Sequence, residues 1–199
     1  MRIALFGGTF DPPHRGHLAI ATAAADDFRL DRVLFAPAGR QPLKPEAHSA
    51  PYLDRLSMAM LVCEHDHRFK PSSLDAPNPN GKPNYTVDTL TMLRALYPKA
   101  TLFNLVGADS FLGLPHWHEP VRLLELAEWI VVSRPGFSFD SLATSGLTPQ
   151  ERSRVHLVEA VHDGISATEL RQRLHDGDNC EGLILPEVLD YIRTHNLYC

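Results

Sequence analysis

Gly7-Gly8-Thr9-Phe10-Asp11-Pro12-Pro13-His14-Arg15-Gly16-His17 lies between the apolar run Ile3-Ala4-Leu5-Phe6 and the alanine-rich stretch Leu18-Ala19-Ile20-Ala21-Thr22-Ala23-Ala24-Ala25. The run before it reads as a buried strand and the stretch after it as a helix. A glycine turn between the two presents backbone N–H groups at the positive end of the helix dipole, where an anion is held. His14 and His17, with Gly16 between them, add side-chain donors at the same end. Two familiar phosphate loops do not fit. The P-loop lysine is missing, and Pro12-Pro13 interrupt any Gly-x-Gly-x-x-Gly spacing. The plainer alternative is a glycine turn carrying two solvent histidines. The full context favours a nucleotide-phosphate site.

Outward from this segment, apolar runs recur between helical patterns. Arg2–Phe6, Arg32–Ala36, Leu102–Val106 and Trp129–Ser133 read as buried parallel strands, with weaker candidates at Arg68–Ser72 and Val155–Val158. Helical spacing covers Gly16–Phe28, Tyr52–Glu64, Val87–Tyr97, Glu119–Leu126, Ala167–His175 and Pro186–Thr194. The alternation predicts an α/β chain with a Rossmann-like, doubly wound, mainly parallel sheet and a helical C-terminal appendage after Gly136. One domain, residues 1–199, is expected at this length. Ligands of such sheets sit beyond the carboxyl ends of the strands, where the glycine turn falls. Pro37–Pro51 and Asp75–Asn84 are too polar and proline-rich for core elements and read as loops over that edge, either lids or plain connections.

Composition limits the partners. Hydrophobic residues make up 44% and charged residues 22%, with a net charge of −5 and a pI near 6.1. No global field attracts nucleic acid, so an anionic ligand needs a local cationic cluster. Cys63, Cys180 and Cys199 form no pair of metal-ligand or disulfide spacing. No run approaches the ~20 apolar residues of a membrane span, and the chain enters its first strand without a signal segment. A cytoplasmic protein is expected.

A second stretch, Gly164-Ile165-Ser166-Ala167-Thr168-Glu169-Leu170-Arg171, starts a helix at Ala167 by the capping-box pattern Ser166 to Glu169. Hydroxyls and an arginine at a helix N-terminus also make an anion site. The metal-like cluster Cys63-Glu64-His65-Asp66-His67 lacks a second spaced pair and reads as a solvated helix end. Asp176-Gly177-Asp178 reads as a turn rather than a calcium loop.

His14-Arg15-Gly16-His17 resembles the HxGH signature of the nucleotidyltransferase superfamily, and the longer Gly7–Leu18 segment resembles that of the bacterial nicotinate-nucleotide adenylyltransferases. The resemblance runs nearly the whole length. It takes in Lys44 in the second loop, Tyr85-Thr86-Val87-Asp88-Thr89-Leu90 with Asn84 in place of the family's serine, Gly107-Ala108-Asp109-Ser110, Trp117, Arg134-Pro135-Gly136 and the Ser166–Arg171 motif. It implies adenylyl transfer from ATP, with Mg2+, to nicotinate mononucleotide, giving deamido-NAD and pyrophosphate in NAD biosynthesis. It also implies roles. His14, His17, Lys44 and Arg171 would be catalytic, and phosphate beside the imidazoles would favour their cationic form. Gly7, Gly8, Thr9, Phe10, Gly16, Gly107, Asp109, Arg134, Ser166 and Thr168 would hold ATP. Lys44, Thr86, Trp117 and His118 would hold the mononucleotide, with Trp117 stacked on its pyridine ring or, in the plainer reading, anchoring the Glu119 helix. No resident protein-bound metal is implied. A phosphopantetheine-type adenylyltransferase, a non-catalytic nucleotide-binding regulator and an NAD-dependent dehydrogenase are the rival readings. Monomer and homodimer both stay open.

Overall fold

In the computed structural model, residues 1–42, 50–133, 147–159 and 166–199 are described. Six strands form one sheet: β1 (Arg2–Gly8), β2 (Arg32–Pro37), β3 (Phe69–Pro71), β4 (Thr101–Gly107), β5 (Glu128–Ser133) and β6 (Val155–Glu159). Their order is β3-β2-β1-β4-β5-β6, and every pairing is parallel. The chain therefore builds outward from β1 through β3, then returns to lay β4 against the other side of β1. The order reverses between β1 and β4, and the crevice opens at their carboxyl ends.

Both faces of the sheet are buried, which is why its strands read as continuous apolar runs. Successive residues point to opposite faces. Ala4, Phe6, Val33, Phe35, Phe103 and Leu105 enter one core, shared with α1 (Arg15–Asp27) and α2 (Tyr52–Cys63). Ile3, Leu5, Leu34, Leu102 and Val106 enter the other, under α3 (Thr86–Leu96), α4 (Ala108–Leu112) and α5 (Pro120–Leu126). A single helical turn, α6 (Pro149–Arg152), precedes β6. The last helices, α7 (Ala167–His175) and α8 (Pro186–Thr194), bury Leu170, Val188, Leu189 and Ile192 in the first core, so the C-terminal helices pack on the α1 side of the sheet.

Helix α1 meets the sheet through Ala21, Ala24 and Ala25, all fully buried. Three methyl-sized contacts let the helix sit close to the strands, and this fixes the position of its N-terminus beyond β1. The Asp75–Asn84 loop is pinned to the preceding one. Gly39 donates its N–H to Asp75 O at 2.7 Å, and Arg40 donates its N–H to Asn84 Oδ1 at 2.9 Å. Asn84 Nδ2 also donates to Ala76 O at 2.8 Å, so the asparagine that replaces the family serine clamps both loops.

Candidate active site

Two histidines make the N-terminus of α1. His14 Nδ1 accepts the N–H of Gly16 at 3.2 Å, and His17 Nδ1 accepts the N–H of His14 at 3.2 Å. This is a capping box built from imidazoles in place of a hydroxyl and a carboxylate. A backbone N–H can only donate, so each Nδ1 is the bare, accepting nitrogen and the ring hydrogen sits on Nε2. The cationic ring expected from a phosphate neighbour carries a hydrogen on Nδ1 and cannot make this box. In this cap each imidazole therefore presents its Nε2–H as a donor. The ring centroids lie 3.9 Å apart. A Cβ at Gly16 would stand 3.0 Å from two atoms of the His14 ring, so a larger residue there crowds the cap.

The loop before the helix is clamped from behind. Arg55, 4% exposed, donates from its guanidinium to Thr9 O at 2.7 Å and Ala50 O at 3.0 Å. Burial pulls the Arg55 guanidinium pKa down, and the Asp11 carboxylate offsets this. Arg171 donates to Asp11 O at 2.8 Å and to Thr168 Oγ1 at 3.2 Å. The buried Asp11 carboxylate accepts from Ala50 N at 3.0 Å and from the Tyr198 hydroxyl at 2.7 Å. Burial, then the Asp11 charge, pushes the Tyr198 phenol up, so it stays a donor. Two guanidinium groups thus occupy loop carbonyls, and the loop's conformation follows. Phe10 sits at φ 50°, a left-handed position costly for a side-chain-bearing residue. Its ring is held there against Phe6, Phe35 and His17 at centroid distances of 5.3, 5.5 and 5.0 Å.

A cavity of about 890 Å³ opens at the switch point. Gly7, Gly8, Thr9, Phe10, His14 and His17 line it from the glycine turn and the start of α1. Gly107 and Asp109, at the end of β4 and the start of α4, line it beside β1. Cβ atoms added at Gly7 or Gly107 would meet nothing within 4 Å, so these two strand ends leave open space. Thr86, Trp117 and His118 also line the cavity. The Trp117 ring packs edge-on against buried Trp129, at 5.8 Å between centroids. No side chain caps α3 at Tyr85, so the first-turn N–H groups start at the cavity wall with Thr86.

The C-terminal motif reaches the cavity through Ala167. Ser166 is the N-cap of α7, its Oγ accepting the Glu169 N–H at 3.1 Å. Ser166, Thr168 and Arg171 are not among the lining residues, nor is Gly16 at the start of α1. Lys44 and Arg134 lie outside the described residues. Several residues that the sequence left unassigned take part: Asp11, Arg55 and Tyr198 in the clamp, and Asp75 and Asn104 in the cavity wall. Burial pushes the Asp75 carboxyl up to about 6, while the Thr89 hydroxyl, donating at 2.9 Å, opposes the shift.

The discounted clusters have structural partners. His65 bonds Glu187 on α8, Asp66 binds Arg68 at 2.6 Å, and burial pushes the Cys63 thiol up to about 12. Asp178 closes its turn on Arg173 and on the N–H of Cys180. Among the described residues no three His, Cys, Asp or Glu side chains gather as a metal cage, and no helix is long and apolar enough to cross a membrane.

A switch-point cavity walled by a glycine turn, a helix N-terminus and two N–H-donating imidazoles defines a nucleotidyltransferase-type α/β protein. The cytidylyltransferase-like family model matches residues 5–173. A Roseiflexus sp. (strain RS-1) protein is 43% identical over 98% of this chain and 97% of its own length. One from Solibacter usitatus is 41% identical over 100% of both chains. Each carries the name probable nicotinate-nucleotide adenylyltransferase. The chain belongs to the cytidylyltransferase-like family and, within it, to the nicotinate-nucleotide adenylyltransferases. The same fold is seen in the Plasmodium falciparum nicotinic acid mononucleotide adenylyltransferase complexed with NaAD, at a TM-score of 0.75 and 18% identity over 99% of this chain and 97% of that one.

Proposed function

We propose that this protein, acting as a single domain of residues 1–199, joins nicotinate mononucleotide to the AMP part of ATP. A phosphate oxygen of the mononucleotide attacks the α-phosphorus of ATP. The bond from that phosphorus to the bridging oxygen of the β-phosphate breaks, and pyrophosphate leaves with the electron pair. The attacking oxygen is already ionised at pH 7, so no general base is needed. The obstacles are repulsion between polyanions and the entropy of alignment, and catalysis is by positioning and charge neutralisation. Alignment alone can supply about 7–11 kcal/mol in favourable cases.

The observation that carries this reading is the imidazole capping box. It holds two Nε2–H donors at the positive end of α1, beside the turn N–H groups of Gly7 to Phe10. Within it, His17 would meet charge developing at the α-phosphate and His14 the neighbouring phosphates. Gly107 and Asp109 would take the ATP ribose, and Arg134 the adenine. Lys44 would reach phosphates from its loop. Arg171 has five N–H donors and commits two to Asp11 and Thr168. The others, with Ser166 and Thr168 at the α7 terminus, would hold the β- and γ-phosphates. Trp117 would stack on the pyridine ring, with N–H groups near Thr86 and His118 at its carboxylate. A cavity of 890 Å³ lies near the top of the ~300–1,000 Å³ range of ligand sites, as a two-substrate site requires.

The wall supplies N–H donors suited to phosphate rather than a carboxylate cage. A magnesium ion fits this site as the partner of ATP, held mainly by the phosphates themselves, and would neutralise part of their charge. A cytoplasmic location, where ATP and mononucleotides are found, accords with the three free cysteines. The test is product analysis. Incubation with ATP, Mg2+ and nicotinate mononucleotide should yield the dinucleotide and pyrophosphate in equal amounts. ATP binding without either product would place the chain among nucleotide-binding regulators instead.

A further inference from the structure

Asp75 lines the cavity from the loop between β3 and α3 and is half-buried. It is fixed at two points. Its backbone carbonyl accepts the Gly39 N–H at 2.7 Å, and its Oδ1 accepts the Thr89 hydroxyl at 2.9 Å. Among the described residues Oδ2 has neither a hydrogen bond nor an ion pair. It is not one of the unpartnered atoms closed off from solvent, so a ligand can reach it. The Arg55 guanidinium acts on Asp75 from a distance but directs its donors to Thr9 O and Ala50 O. A carboxylate with no cation of its own is a costly group on the wall of a site for two polyanions. Burial disfavours its charge and holds the carboxyl near 6, yet at neutral pH it is mostly ionised. In that form it repels phosphate and can only accept.

Its neighbours say which donors it meets. Thr89 lies on α3 one turn beyond Thr86, which shares the cavity lining with Trp117 and is proposed to face the pyridine ring. Arg55 clamps Thr9 of the glycine turn, where phosphate is proposed to bind. A mononucleotide reaching from the start of α3 to that turn carries its ribose past Asp75. We propose that Asp75 is a specificity-determining residue, its Oδ2 accepting a hydroxyl of the mononucleotide's ribose. This rests on the proposed function and adds to it the group that tells ribose from deoxyribose. A hydrogen bond to a charged acceptor is among the strong ones.

The test is kcat/KM for nicotinate mononucleotide and its 2′-deoxy and 3′-deoxy forms, with the KM for ATP, in wild type, Asp75→Leu and Asp75→Asn. With wild type, one of the two deoxy substrates should lose about tenfold to a hundredfold against the parent. Asp75→Leu has no acceptor and should lose a similar factor on the parent. On that deoxy substrate it should match wild type within about threefold, because hydroxyl and carboxylate are two halves of one contact. Asp75→Asn keeps a neutral partner for the hydroxyl and should lose about threefold to tenfold on the parent, again with little further loss on the deoxy form. The KM for ATP should stay within about twofold. Thermal melts check folding, and the asparagine variant decides the matter if the leucine variant does not fold. Equal losses on the parent and both deoxy forms in a folded variant would overturn the inference, as would a wild type indifferent to both hydroxyls. A raised KM for ATP with the mononucleotide unaffected would overturn it too. A wild type that turns over no form of the mononucleotide would instead overturn the proposed function.

Discussion

Replacing His17 by asparagine and by alanine separates its two tasks. Its Nδ1 accepts the His14 N–H at 3.2 Å and so helps to start α1. Its Nε2–H is the donor assigned to the α-phosphate. Asparagine places an acceptor oxygen close to where Nδ1 stands but has no atom at the Nε2 position. His17→Asn should therefore keep the capping box and lose the phosphate donor. His17→Ala loses both. Loss of the cap bond should lower stability by about 0.5–1.5 kcal/mol, or a few °C in the melting temperature of a chain this size. Losing a donor aimed at developing charge costs about 10²–10³ in kcat, or ~2.7–4 kcal/mol. The assays are initial rates of pyrophosphate release at saturating substrates and thermal melts. Both variants should be slow, and only the alanine should melt early. An asparagine variant within about threefold of wild-type turnover would refute the role given to Nε2. Equal melting of the two variants, both below wild type, would refute the box.

Other substitutions test the supports of the site. Gly16→Ala, which would stabilise an unobstructed helix by up to ~1 kcal/mol, should here lower the melting temperature and the rate, because its Cβ stands 3.0 Å from the His14 ring; a more stable, fully active variant would show the contact to be harmless. Tyr198→Phe removes a hydroxyl donated to the buried Asp11 carboxylate at 2.7 Å and should cost about 1.5–3 kcal/mol in denaturant titration at neutral pH; an unchanged midpoint would mean that Asp11 is satisfied without it. Asp75→Asn tests a pH dependence. The folded-state carboxyl lies near 6 against an ordinary 3.8, so its contribution is present below about pH 4 and is lost as pH rises through 6. The asparagine variant should match wild type near pH 3.8 and exceed it at pH 7.5 by at most ~3 kcal/mol. A gain that does not grow with pH would contradict the assignment.

Much of this was legible in the chain because the relevant physics is local. Continuous apolar runs such as Ile3–Phe6 mark strands buried on both faces, and the structure places β1, β2, β4, β5 and β6 within a residue or two of the expected bounds. The weaker run at Arg68–Ser72 shrinks to Phe69–Pro71 on the sheet edge, where Pro71 has no N–H to give. Short elements escape such a reading: Ala108–Leu112 and Pro149–Arg152 hold one turn each, too little for a period to show. The glycine turn and its histidines are readable because spacing alone puts them at one helix end. Their use of Nδ1 as a cap is not readable, for it depends on ring orientation. The clamp lies further from view, since Arg171 and Tyr198 meet Asp11 across 160 and 187 positions. Asn104 did carry a signal, a carboxamide inside Leu-Phe-Asn-Leu-Val, which the apolar reading of the strand absorbed.

The most direct test of the central claim is pyrophosphate release from ATP and Mg2+ with nicotinate mononucleotide, nicotinamide mononucleotide and phosphopantetheine supplied in parallel. Release with nicotinate mononucleotide, well above the other two, is the predicted result. Release only with phosphopantetheine, or none from folded protein that still binds ATP, would contradict it.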